Sequence, residues 1–302
     1  MRPPEVLVIG DANPDLLVTG DNLEPQFGQV EKLVDSADLV LGGSAAIAAC
    51  GLARLGVSTA LAALVGDDFF GEFVRRELTA AGVDTRWLRT DPTVATGLSV
   101  VLSAGDRAIL TFPGALAATG PEVVDVDLLG RVRHVHSASL FLLPRLAPHL
   151  PEFFATARSA GATTSLDTNW DPAGRWQGVL GLLEHTDIVF PNAAELLAMT
   201  GMAELDAAAQ AVLRLGCRVA LKDGADGGRL WAPGQPLFAT PAPPTDAVDT
   251  TGAGDSFDAG YLSALVEGLS DTACLVRAVR CGSLSTRAVG GTAAQATRAD
   301  VA

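Results

Sequence analysis

The chain has 302 residues, of which 48% are hydrophobic and 19% charged, a balance that suits one large soluble α/β domain with a small appendage. Its formal net charge of −14 argues against nucleic acid or an anionic membrane surface as a partner, since either calls for clustered Lys and Arg. Acidity does nothing to attract a nucleotide, so any such site must be made locally positive by backbone amides, a lysine and a divalent cation.

Along the chain, Glu5 to Ile9 is a short β-branched run ending in Gly10, the pattern of a buried parallel strand, and a loop with Asp11, Asn13 and Asp15 follows it. Leu16 to Leu41 is extended and partly alternating. Gly42-Gly43-Ser44 opens a predicted helix over Ala45 to Leu55, Thr59 to Val65 reads as a strand, and Phe69 to Ala81 reads as a helix stopped by Gly82. Ala95 to Phe112 is extended again, with an Ala104-Gly105-Asp106 turn between apolar runs; paired with Leu16 to Leu41 it predicts a small sheet projecting from the core. Strands over Arg133 to Ser137, Thr163 to Asp167, Ile188 to Pro191 and Val219 to Lys222 then alternate with helices over Pro151 to Ala160, Trp176 to Glu184, Ala193 to Thr200 and Leu205 to Leu215. That βαβ rhythm implies a parallel sheet covered on both faces, with ligands beyond the carboxyl ends of its strands. Asp15, Asn192, Glu195 and Lys222 all fall just after predicted strands.

Cys50, Cys217, Cys274 and Cys281 lie far apart without a C-x-x-C pair, which speaks against zinc and against a disulfide framework. His134, His136, His149 and His185 lack ligand spacing and read as packed or surface residues. Met1 to Gly10 has no charged and apolar leader pattern, and no run of about 18 uncharged apolar residues follows, so the expected location is cytoplasmic. A dinucleotide-binding dehydrogenase is excluded because no G-x-G-x-x-G follows the first strand.

The most informative stretch is Asp249-Thr250-Thr251-Gly252-Ala253-Gly254-Asp255, running on to Ala259-Gly260. Small residues at 252 to 254 let the backbone bend and bring several N–H groups near one point. A helix predicted over Asp255 to Val266 would turn its positive end to the same point, which favours phosphate oxygens. Asp255 at the lip could accept the proton of an attacking hydroxyl. Taken alone, the same residues also describe an ordinary glycine turn with a helix-complementing acid.

At every specified position this stretch resembles the C-terminal signature of the ribokinase-like (PfkB-type) carbohydrate kinases. Gly42-Gly43-Ser44-Ala45-Ala46-Ile47-Ala48 is similar to the family's N-terminal G-G-x-x-x-N-x-A run, with Ile47 in place of the asparagine that reaches the substrate. Val65-Gly66-Asp67-Asp68, Pro191-Asn192-Ala193-Ala194-Glu195 and Lys222-Asp223-Gly224-Ala225-Asp226-Gly227 match further landmarks in the family's order. The resemblance implies one kinase domain over 1–302 with a three-layer α/β/α fold, a mostly parallel central sheet and a small β lid from about 16–41 and 95–112. It also implies transfer of the γ-phosphoryl of ATP to a sugar or nucleoside hydroxyl.

By the same resemblance Asp255 is the base, and Gly252, Ala253 and Gly254 cradle the phosphoryl. Asn13, Asp15, Gly42, Gly43 and Ile47 border the sugar, Gly42 and Gly43 by letting it approach the backbone. Asn192, Lys222, Gly224 and Gly227 border the nucleotide, Glu195 with Asn192 places magnesium through water, and Asp249 with Thr251 matches the site of a monovalent cation such as potassium. Asn192 and Glu195 also read as a helix capping pair. A homodimer through the lid is a further implication. Asp167-Thr168-Asn169-Trp170-Asp171 is similar to the D-x-N-x-R element of fructokinase-like members, with Asp171 replacing the arginine that suits an acidic sugar. A neutral furanose or keto sugar such as ribose or fructose is therefore the expected acceptor. A nucleoside is the alternative, and a catalytically silent sugar or nucleotide binder the rival from another class.

Overall fold

The strand β1 (Val6–Ile9) is buried at every residue and divides the core in two. Its side chains alternate between faces, so Val6 and Val8 join one apolar cluster while Leu7 and Ile9 join the other. The first cluster is closed by the helices Ser44–Arg54, Phe69–Ala80, Ala253–Val266 and Asp271–Ser285. The second is closed by Leu150–Ser159, Val179–Leu183, Ala193–Thr200 and Leu205–Leu213. Helices on both faces of one sheet make three layers. This computed structural model describes residues 3–104 and 107–301, so the expected Gly105-Asp106 turn and the first two residues of the chain lie outside the described residues.

The remaining strands are β2 (Asn13–Thr19), β3 (Ser36–Gly42), β4 (Thr59–Gly66), β5 (Leu88–Asp91), β6 (Leu98–Ser103) and β7 (Arg107–Phe112) in the first half of the chain. The second half adds β8 (His134–Ala138), β9 (Thr163–Asp167), β10 (Ile188–Val189), β11 (Arg218–Lys222), β12 (Gly228–Trp231) and β13 (Phe238–Thr240). The large sheet runs β13-β12-β11-β10-β9-β8-β1-β4-β5, parallel from β11 to β5 with antiparallel β12 and β13 at one end. A second sheet, β3-β2-β6-β7, pairs β2 in parallel with β6 and antiparallel with β3. Its outer strand β7 is exposed along its whole length.

The expected small sheet exists, and its membership is narrower and shifted. It begins at Asn13 rather than Leu16, so Asn13 and Asp15 belong to a strand and not to a loop, and residues 20–35 contribute nothing to it. The helix expected over Trp176 to Glu184 is shortened to Val179–Leu183, because Trp176 and Gly178 both adopt positive φ and the Trp176 amide donates to Asp171 Oδ2 (2.8 Å). His134 and His136 are buried, with ring nitrogens against the hydroxyls of Thr163 and Ser165 at 2.7–2.8 Å. The four cysteines are buried thiols. Among the described residues, no single helix is long and apolar enough to cross a membrane.

Candidate active site

Four strands end at one place. Asp11 follows β1, Ser139 follows β8, Asp167 closes β9 with Asn169 just beyond, and Lys222 closes β11. Asp11 is buried and accepts from the Ala45 amide (2.9 Å), the Ser44 amide (3.2 Å) and the Ser139 hydroxyl (2.7 Å), so it pins the start of the helix Ser44–Arg54 to the sheet. Asn169 bridges the same groups, donating to Ser44 Oγ (2.9 Å) and accepting from the Ser139 amide (2.8 Å). Sequence reasoning did not single out Asp11 or Ser139 as site residues and met Asn169 only as the asparagine of the D-x-N-x-R element; contacts between distant strand ends bring the three together.

On the lid side, Asn13 donates to Asp15 Oδ1 (3.0 Å), and burial followed by the charge of Asp11 pushes the Asp15 carboxyl up to about 7. Gly42 serves this carboxylate, since a Cβ there would lie 2.1 Å from Asp15 Oδ1. The missing side chain of Gly42 thus makes room for Asp15, a requirement that sequence reasoning did not name. Gly43 has φ +84 at the helix start, a conformation that favours glycine. Ile47 is buried beneath the turn at 252, where its Cγ2 would lie 3.1 Å from a Cβ on Gly252.

The anion turn closes the other side. Gly252 has φ +69, and a Cβ on it would lie 2.6 Å from Gly291 Cα, so both conformation and space demand glycine. The helix begins at Ala253, two residues earlier than expected, because Gly252 acts as its N-cap. The Ala253 amide donates to the Thr250 carbonyl (3.2 Å), whereas among the described residues the Gly252, Gly254 and Asp255 amides make no such backbone bond. Asp255 is buried in the first turn. Burial and then the Asp167 charge push its carboxyl up to about 8, with the Lys222 ammonium opposing.

Beneath Asp255, Lys222 Nζ lies 2.6 Å from Asp167 Oδ2 and 3.0 Å from Asp258 Oδ1. Burial alone would lower the lysine's pKa, but Asp167 and Asp258 raise it, so it remains an ammonium. Asp167, Asp255 and Asp258 offer oxygens close enough to share a cation, and Lys222 supplies one. The lysine is thus held in ion pairs by two carboxylates rather than left to solvent. Asn192 and Glu195 form a capping box, Oδ1 of Asn192 accepting from the Glu195 amide and Oε2 of Glu195 accepting from the Asn192 amide, both at 2.9 Å. Asp249 accepts from the Thr251 amide (2.9 Å), the Thr251 hydroxyl (2.8 Å) and the Gly290 amide (2.8 Å). Arg107 reaches from β7 to Thr251 Oγ1 (3.0 Å), tying lid to turn.

Two cavities flank the turn. One, of about 420 Å³, is lined by Asp11, Asn13, Asp15, Ile47, Glu195 and Asp255 among others. The other, of about 440 Å³ and more apolar, is lined by Gly224, Gly227, Pro243, Phe257, Val279 and their neighbours. Lys222, Thr250 and Gly254 line both. Gly227 has φ +98, and a Cβ on it would collide with the Thr240 carbonyl oxygen at 2.1 Å. Asp171 lines neither chamber; it faces a third cavity and accepts from the amides of Ala173, Arg175 and Trp176 at 2.7–2.8 Å. The sequence argument that Asp171 repels an acidic sugar is corrected accordingly, because its carboxylate shapes its own loop.

Two chambers that share a wall in an α/β fold could hold two substrates side by side. The family model for pfkB family carbohydrate kinases matches residues 3–298. A ribokinase of Arabidopsis thaliana is 32% identical, the match covering 95% of this chain and 77% of the relative. An ATP-dependent ribose-1-phosphate kinase of Halopiger xanaduensis is 32% identical over 96% of this chain and 94% of the relative. The structure of Arabidopsis thaliana ribokinase complexed with ribose and ATP superposes with a TM-score of 0.86 at 26% identity, covering 100% of this chain and 98% of the other. The chain belongs to the PfkB family of carbohydrate kinases. It is an ATP-dependent kinase for a sugar or nucleoside hydroxyl, which sets aside the binding-only alternative.

Proposed function

We propose that the protein phosphorylates a hydroxyl of a furanose or keto sugar such as ribose or fructose, neutral because Asp11, Asp15 and Asp255 line the acceptor chamber, with Asp255 as the general base. The observation that carries this reading is the shared wall. Acceptor and donor chambers meet at Thr250, Gly254 and Lys222, and Asp255 lines only the acceptor side. Sugar hydroxyls donate to Asp11, Asp15 and Asp255, and one of them attacks as Asp255 takes its proton. The phosphoryl passes along the turn at Gly252 to Gly254, where backbone N–H groups and the helix end stabilise its developing charge. Gly224, Ala225 and Gly227 border the nucleotide in the apolar chamber. Glu195 keeps Oε1 outside its capping bond and, with Asn192, fits the role of holding magnesium through water, an ion that screens the phosphates when bound. Potassium beside Asp249 and Thr251 is the finer part of the same reading, as is a homodimer through the exposed Ile109, Leu110 and Phe112 of β7.

A nucleoside is the second reading, favoured by Ile47, Val101, Ile109 and Leu142, which give the acceptor chamber an apolar wall. The test is ADP release with magnesium across ribose, fructose, adenosine and ribose 1-phosphate, each with and without potassium. Ribose 1-phosphate is included because Arg107 lines the chamber and the Halopiger xanaduensis relative is named for that substrate. Turnover with ribose or fructose exceeding the others by roughly tenfold in kcat/KM is the expected result. Preference for adenosine would install the second reading, and no acceptor-dependent ADP release from any of them would overturn both.

A further inference from the structure

The wall between the chambers contains a charge that the chain holds in place from two sides. Lys222 leaves the end of β11, and its ammonium lies under the first turn of the helix Ala253–Val266, where a Cβ on Gly254 would stand 3.3 Å from Nζ. Asp167, from the end of β9, holds it at 2.6 Å. Asp258 holds it from the helix itself, with Oδ1 at 3.0 Å and Oδ2 at 3.1 Å, and is fully buried. Asp258 stands three residues beyond Asp255, so both carboxylates fall on one helical face with the ammonium beside them.

We propose that Asp258 is a positioning residue for phosphoryl transfer: with Asp167 it fixes the Lys222 ammonium in the wall between acceptor and donor chambers, directly beneath the route of the migrating phosphoryl. A lysine side chain has rotamer freedom that a catalytic countercharge cannot retain. A single carboxylate from β9 would restrain it from one direction only. The second contact, from the helix that carries the base, gives ammonium and base a common frame, so both keep register with the turn at Gly252 to Gly254. Gly254 belongs to the same device, since any side chain there would press on the ammonium. Asp258 touches neither substrate, and its effect runs through Lys222.

This inference rests on the reading of Asp255 as base, so the two must fail separately. The decisive variant is Asp258→Leu, similar in branching though larger and without an acceptor, compared with Asp258→Asn, which keeps both the size and an oxygen for Nζ. Expected for Asp258→Leu is a fall in kcat of roughly tenfold or more with KM for sugar and for ATP each within about threefold, the pattern of an interaction made in the transition state. Asp258→Asn is expected to retain kcat within about threefold. In a Lys222→Gln background, Asp258→Leu should lower kcat by less than about twofold further, because its route of action is already gone. Wild-type kcat in Asp258→Leu, or additive losses in the double variant, would overturn the proposal. If Asp258→Leu does not fold, Asp258→Ser, whose hydroxyl is too short to reach Nζ, is read by the same criteria. An Asp255→Asn enzyme with full turnover would sink the base assignment instead, whatever Asp258 does.

Discussion

The two chambers on either side of the glycine turn are built from different chemistry. The acceptor side is lined by side chains with directional polar atoms, Asp11, Asn13, Asp15 and Asn169, contributed by the ends of separate strands and by the lid. The donor side is lined by glycine, alanine, proline and apolar side chains, with Gly224 and Gly227 in positive-φ conformations. A nucleotide can be held by backbone and shape, which need little sequence information beyond glycine placement. A sugar must be read hydroxyl by hydroxyl, which needs particular side chains. On the proposed assignment of the chambers, substitutions on the acceptor side should change acceptor choice while leaving nucleotide binding in place.

The largest effect that tests this contrast is at the shared wall. Asp255→Asn should lower kcat by a factor of roughly a hundred or more while sugar and ATP binding, measured by calorimetry, change little. With its carboxyl raised to about 8, the wild-type base is ionised only as pH climbs, so turnover should rise toward pH about 8 and level above it. The stability consequence has the opposite sign. Between the unfolded value of 3.8 and about 8, the folded chain keeps a proton that the unfolded chain has lost, so this group makes folding less favourable as pH rises through that window. Asp255→Asn should accordingly melt above the wild type at pH 8 in differential scanning calorimetry.

The next effects separate the sides. Asp15→Ala should raise KM for the sugar roughly tenfold and leave KM for ATP within about twofold, since it removes an acceptor from one chamber alone. Gly227→Ala should do the reverse at smaller scale, a rise of roughly three- to tenfold in KM for ATP with a lowered thermal midpoint, because φ +98 and the Thr240 carbonyl at 2.1 Å both resist a Cβ. Steady-state kinetics that moved both KM values together in either variant would break the comparison.

Much of this organisation was legible in the sequence wherever the physics is local. The glycine turn, the capping pair at Asn192 and Glu195 and most of the parallel strands and their helices depend on glycine conformations and hydrophobic period over a few residues, whereas β5, β12, β13 and the helix Asp271–Ser285 were not anticipated. What depended on assembly was hidden. Asp11 and Ser139 are 128 positions apart yet hydrogen bonded, and Lys222 finds Asp167 and Asp258 only once two strands and a helix have packed. Asp171 misled because its position suggested a substrate contact, whereas three amides of its own loop had claimed it. The demand that Asp15 places on Gly42 was hidden for the same reason, since it acts across the strand pair.

Asn13 and Asp15 are carried on β2, the strand hydrogen bonded to both β3 and β6. Whatever motion the small sheet makes, these two side chains travel with it. Were the small sheet to close on its substrate, selection of the acceptor and exclusion of water would be a single event carried by one strand.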